Sequence, residues 1–182
     1  MVDEFVDASL LERVPFIFDD RLEYLAWRRS GASMLGVDPR NLIVVGSAAH
    51  GFSIKSGSTF NDDSDVDVAV ISQPHFEEAW SFMRNARVGM LRKATPFQKE
   101  HLREHAATSV YNGCVATDYI LPLLPFGPKW QRGAAALAKS LPGGVREINF
   151  RLYRDVEALR SYQVYSHKKL RENWERHAAA IS

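Results

Sequence analysis

The chain predicts an α/β (α+β) fold, a small mixed β-sheet flanked by helices. Three observations carry this. LIVVG (42–46) is a short, wholly apolar run of the kind buried inside a sheet. DVDVAVI (65–71) and INFRLY (148–153) alternate polar with apolar residues, the period of a half-buried strand. The segments between them repeat their apolar residues every three or four positions, which is helical spacing. With 182 residues, 46% of them hydrophobic and 25% charged, the chain suits one buried core rather than two large ones. A single domain over residues 1–182 is expected, its core at about 40–124, with a strand and helix at 145–181 packed on it.

In chain order, residues 18–35 place Leu22, Leu25, Ala26 and Arg29 at helical spacing after Asp19 and Asp20, which suit an N-cap and first turn. GVDPRN ends that helix, and the first strand follows at 42–46. After a polar loop comes the second strand, 65–71. Pro74 suits the first turn of a helix to about residue 91, with Phe76, Ala79, Trp80 and Met83 as its buried stripe. A further helix is expected over 96–107. CVATDYILPLL (114–124) reads as a third strand stopped by Pro122, and 129–140 as a helix. Turn glycines precede the last strand, whose Ile148, Phe150 and Leu152 face the core. The final helix, from Asp155 to about 180, is expected to turn Val156, Leu159, Tyr162, Ser166, Leu170 and Trp174 inward.

No apolar stretch approaches the roughly 20 residues of a membrane span, and the N-terminus is acidic rather than basic-then-apolar, so a cytoplasmic protein is expected. Cys114 stands alone, which excludes an internal disulfide and a cysteine metal cluster. The net charge of +1 hides an asymmetry: residues 1–83 hold 6 Lys/Arg against 14 Asp/Glu, and residues 126–182 hold 11 against 5. Cation binding at the front and phosphate binding at the back would produce this, as would two halves that attract each other.

The stretch IVVGSAAHGFSIKSGSTFNDDSDVDVAVIS (43–72) is the most informative. Asp65 and Asp67 fall on one face of a strand, about 7 Å apart, with Val66, Val68 and Val70 on the other. Two carboxylates aimed at one spot repel each other, and a divalent cation removes that cost. Oxygen-only ligands suit Mg²⁺ or Mn²⁺. Gly46 and Ser47 end the first strand where the chain turns into Ala48-Ala49-His50, a short helix by expectation; glycine admits a phosphate to the backbone and the serine hydroxyl adds a donor. A phosphate cradle beside a metal-holding pair is what nucleotidyl transfer requires. A solvated strand end is the ordinary explanation for the acids, but it leaves Gly46-Ser47 unexplained.

GSAAHGFS…SDVDVAV resembles the signature of the nucleotidyltransferases of the DNA polymerase β-like superfamily: strand, Gly-Ser, short helix, then an aspartate pair on the next strand. The resemblance covers roughly residues 40–121. It implies an NTP donor, release of pyrophosphate, and two Mg²⁺ ions held by three carboxylates, the third from a later strand. Asp118, within ATDYIL, is the preferred third acid, with Glu147 its competitor, so the expected catalytic and metal-holding set is Asp65, Asp67 and Asp118. The expected substrate-binding residues are Gly46, Ser47, Lys55 and Ser56. The 17 residues between Ser47 and Asp65 make a longer link than compact members use.

Other features compete. Asp63, Asp65 and Asp67 alternate as in a calcium loop, but Val68 stands where its glycine belongs and Pro74 where its glutamate should be. HLREH (101–105) matches a zinc-peptidase pattern, whose third ligand would be a distant acid such as Glu172 or Glu175; an exposed charged helix face is the plainer expectation. Among Lys129, Arg151, Arg154, Lys168, Lys169 and Arg171, one or two are candidates for the β- and γ-phosphates. Tyr119, Tyr162 and Tyr165 are candidates for stacking on a base, though core packing is the commoner use. The acceptor is open among a small molecule, a nucleotide, RNA and a protein side chain. The about 60 residues after the core favour a small acceptor or one brought by a partner. A different class of reading is a non-catalytic or weakly catalytic nucleotide-binding partner protein of the antitoxin kind.

Overall fold

The computed structural model describes residues 2–53, 56–85, 94–104, 111–117 and 120–181, the side chains of 101, 103, 104, 173, 174 and 176–181 excepted. Among the described residues the four strands are β1 (Leu42–Val45), β2 (Val66–Ile71), β3 (Cys114–Ala116) and β4 (Ile148–Tyr153), in the order β1-β2-β4-β3. β1 runs antiparallel to β2, β2 parallel to β4, and β3 antiparallel to β4, so the sheet is mixed. The helices are α1 (Val2–Val6), α2 (Arg21–Leu35), α3 (Ser47–His50), α4 (Gln73–Asn85), α5 (Pro96–Glu104), α6 (Gly127–Ala138) and α7 (Val156–Ile181), and they flank the sheet. No helix among the described residues is long and apolar enough to cross a membrane.

Alternation along β2 and β4 divides the sheet into two unlike faces. Val66, Val68, Val70, Ile148, Phe150 and Leu152 are buried, and Trp130 of α6 meets Phe150 at 5.6 Å between ring centroids. Asp67, Asn149, Arg151 and Tyr153 stand on the other face.

α2 and α6 pack on each other with each indole donating to a carbonyl near the other helix's C-terminus: Trp27 Nε1 to Leu137 O at 3.4 Å and Trp130 Nε1 to Leu35 O at 3.3 Å. The Leu137 carbonyl also accepts from Ser140 N and Ser140 Oγ just past the end of α6, so the Trp27 indole joins bonds that already close that helix. Close approach is allowed by Gly31 and Gly133, where a Cβ would meet Leu42 and Leu35 side chains at 2.9 and 2.8 Å. Asp20 caps α2 by accepting from Leu22 N and Glu23 N, and Gly36, at φ 80, closes it. Its buried face is Tyr24, Trp27, Gly31, Ala32 and Leu35 rather than the Leu22 register; Leu22 is 76% exposed. The aromatic pair Tyr24 and Trp27, with the Phe18 ring tilted against both, takes the inward side instead.

Three other expectations are corrected. β3 is three residues long, because the Thr117 carbonyl accepts from Ile120 N and Leu121 N and turns the chain into a 3₁₀ helix, Leu121–Leu123. Pro122 sits in that turn rather than ending a strand. In α4, Phe76 and Ala79 are buried but Trp80 is 38% exposed; residues 86–91 of the expected helix lie outside the described residues. Among the described side chains of α7, Ala158, Leu159, Gln163 and Val164 are buried, while Val156 and Tyr162 are 42% and 38% exposed; the Trp174 side chain lies outside those described. That helix packs on β2 and β4, over the polar face, so its inner side is not its most apolar one.

β1 lies at the end of the sheet, and Tyr24 of α2 supplies what a further strand would. Its hydroxyl accepts from Val44 N at 3.2 Å and donates to Leu42 O at 3.4 Å, and burial raises the phenol above its ordinary range. Tyr24→Phe would leave a buried N–H and carbonyl without that oxygen, and is expected to lower stability by about 1–3 kcal/mol. Urea unfolding measures this; an unchanged midpoint would show that the hydroxyl contributes nothing.

Candidate functional site

Pairing Val45 with Asp67 sets the residue after β1 beside the Asp67 carboxylate. That residue is Gly46, at φ 67 and ψ −148, a conformation almost confined to glycine. A Cβ there would lie 2.8 Å from Asp67 Oδ2. The bend and the acid are therefore built against each other. Ser47 opens α3, whose Ala49 and His50 N–H groups donate to Gly46 O, and the carbonyls of Ala48 and Ala49 accept from Ile17 N and Phe16 N. The loop that follows is closed by a second set of bonds. Ser64 Oγ accepts from Asn61 N at 3.0 Å, and Asn61 Oδ1 from Asp63 N at 3.0 Å. Arg146 donates to Asn61 O and to Asp62 Oδ1 while lying 4.9 Å from the Phe60 ring centroid. This loop delivers Asp65 to the start of β2.

These elements enclose a cavity of ≈ 810 Å³, within the range of about 300–1,000 Å³ usual for small-molecule sites. Asp65, Asp67, Arg151 and Tyr153 line it from the sheet, and Gly46 and Ser47 from the bend. Ser53, Ser58, Thr59 and Ser64 contribute hydroxyls from the loop. From α7 come Tyr162, Tyr165, Ser166 and Lys169. Two acids and two cations thus share one space, with hydroxyl-bearing side chains around them.

Four of the expected site residues meet here: Gly46, Ser47, Asp65 and Asp67. Ser56 does not line the cavity; its hydroxyl pairs with that of Ser58 at 2.7 Å and helps shape the turn behind the wall. Lys55 and Asp118 lie outside the described residues, as does His105 of HLREH. Glu147 is exposed and does not line the cavity; its carbonyl accepts from Val66 N, which extends the pairing of β2 with β4. At the position paired with Asp67 stands Asn149, and its Nδ2 donates to Asp65 Oδ2 at 2.8 Å. Among the described residues no group of three His, Cys, Asp or Glu side chains is gathered for a metal. Two exposed carboxylates with nearby hydroxyls fit a hard cation that completes its shell with water and phosphate oxygens.

The six candidate cations are also sorted. Arg154 pairs with Asp155 and Arg171 with Glu175, both at 2.8 Å. The Lys129 ammonium lies against Gly36 at the C-terminal end of α2, where the helix dipole favours a positive charge. Lys168 is exposed and does not line the cavity, while Arg151 and Lys169 do. Asn149 and the role of Arg146 went unread in the sequence. For Asn149 the signal was present in the alternation of INFRLY, which sets 149, 151 and 153 on one face.

His50, next to the bend, serves packing. Phe5, Phe52 and His167 surround it, the two imidazole centroids 5.8 Å apart. Burial, then His167 and Arg13, drive its pKa from 6.5 down to about 4. The unfolded chain therefore takes up this proton first as the pH falls. The stabilisation that goes with a neutral His50 is whole above about pH 6.5 and is lost as the pH falls toward 4. His50→Gln is expected to flatten the fall in stability over that window; thermal melts from pH 7 to 4 test it, and parallel profiles for the two proteins would refute it. Gly46→Ala forces both a disfavoured φ and a contact with Asp67, and is expected to cost about 1–3 kcal/mol in urea unfolding; a neutral outcome would show that the bend relaxes freely. No protein-family model matches this chain, and no curated protein or solved structure matches it either.

Proposed function

We propose that the protein is a metal-dependent nucleotidyltransferase that moves an NMP group from an NTP to a hydroxyl acceptor and releases pyrophosphate. The observation that supports this most is the seating of Gly46, with no room for a Cβ, beside the Asp67 carboxylate in a cavity that Arg151 and Lys169 also line. A bend that admits phosphate, a carboxylate pair and two cations are the parts that in-line transfer at phosphorus uses. Asp65 and Asp67 would hold Mg²⁺ (or Mn²⁺), with Asn149 fixing one Asp65 oxygen. When bound, the cation neutralises phosphate charge and favours ionisation of the acceptor hydroxyl. Ser47 and the backbone at Gly46 orient the donor. Arg151 and Lys169 meet the charge that grows on the departing pyrophosphate as the acceptor oxygen bonds to the α-phosphorus and the α–β bridging bond breaks. Asp118 remains the proposed third acid.

A second reading has an observation of its own. Asn149, not an acid, is the neighbour of Asp67 on β4, which favours a protein that binds nucleotide with little or no turnover, acting on a protein partner.

One experiment separates the two. Incubation with each α-labelled NTP, Mg²⁺ and a panel of hydroxyl acceptors is expected to give labelled product and pyrophosphate, and Asp67→Ala is expected to reduce the rate by about a hundredfold or more, ~2.7 kcal/mol. Release that survives the substitution would remove the mechanism. Nucleotide binding without release would favour the partner protein.

A further inference from the structure

Helix α7 presents two tyrosines to the cavity, and they are employed differently. Tyr162 is tied into the fold: its ring meets Tyr153 edge-on at 5.9 Å, and Arg151 both lies over that ring, 4.9 Å from its centroid, and donates to its hydroxyl. Tyr165, one turn on, is 65% exposed and has no hydrogen bond or ring contact among the described residues. Its ring stabilises little of the fold, since stabilisation follows burial. Lys169 follows four residues later, on the same strip of helix. An aromatic face with nothing on it, lining the same cavity as two cations, suits a ligand that has a flat ring at one end and an anionic tail at the other.

We propose that Tyr165 stacks on the base of the bound nucleotide, while Arg151, oriented by Tyr162, and Lys169 take the phosphate tail. This rests on the nucleotide reading above and divides its affinity into a ring part and a tail part. It also sets a specificity. A π-face stacks on any base, and the loop wall brings only hydroxyls, of which Ser58 Oγ is shared with Ser56 and Ser53 Oγ accepts from Ser56 N, so no amide or charged group selects one base edge there. The site therefore takes all four NTPs with similar affinity.

Equilibrium binding of the four NTPs and of inorganic tripolyphosphate, with Mg²⁺ present, tests the division. Tyr165→Ala is expected to weaken every NTP by about tenfold and leave tripolyphosphate unchanged, and Tyr165→Phe to restore NTP binding. Lys169→Gln is expected to weaken NTPs and tripolyphosphate alike. Because Tyr165 is exposed, its variants keep the wild-type fold, which far-UV circular dichroism checks. Tyr165→Ala without effect on NTPs, or with an equal effect on tripolyphosphate, would overturn the assignment. So would a wild type that binds tripolyphosphate as tightly as any NTP, while the phosphate site would stand. A wild type that binds neither would overturn the nucleotidyl-transfer reading itself.

Discussion

The register of β1 against β2 is the constraint from which the cavity follows. Pairing Val45 with Asp67 makes the next residue turn beside a carboxylate, and only glycine has both the backbone freedom and the room to do so. A slip of one residue would carry Asp67 to the face where Val66, Val68 and Val70 are buried. The core therefore enforces the site: burying Val66, Val68 and Val70 on one face of β2 turns Asp65 and Asp67 to the other.

The same division explains how α7 is used. A helix laid over an apolar sheet face must bring an apolar stripe of its own, but α7 lies over Asp67, Arg151 and Tyr153. Near its start it buries Ala158, Leu159 and Val164, and further along it gives Tyr165, Ser166 and Lys169 to the cavity. At the N-terminal side it is held by Arg160, which reaches Asp7 at 2.7 Å and so ties the helix to the segment after α1. One helix thus supplies both packing and a wall of the cavity.

What could be read from sequence follows from which interactions are local. β1 was legible as an unbroken apolar run, β2 and β4 because a strand's two faces are written in its alternation, and the Gly46–Asp67 neighbourhood because strands consecutive in the chain bring it about. The caps at Asp20 and Gly36 were equally plain. The helical spacing of α2 was legible, but which of its residues turn inward was not, because packing of Tyr24 and Trp27 with Phe18 and α6 decides it. β3 ended early for a reason that periodicity does not carry: the Thr117 hydroxyl donates to Phe150 O, and its carbonyl starts a turn. Arg151 and Lys169 stood out from the other cations only once the strand and helix that carry them faced each other across one space.

The tyrosine at the outer edge of β1 has a consequence beyond the energy of two hydrogen bonds. An end strand with open amide and carbonyl groups is a template on which a second molecule can lay its own extended chain, and sheets joined that way grow without limit. Here a phenol from the same molecule already sits on Val44 and Leu42. It gives the strand a neighbour that cannot itself be extended, so on that side the sheet ends with the molecule.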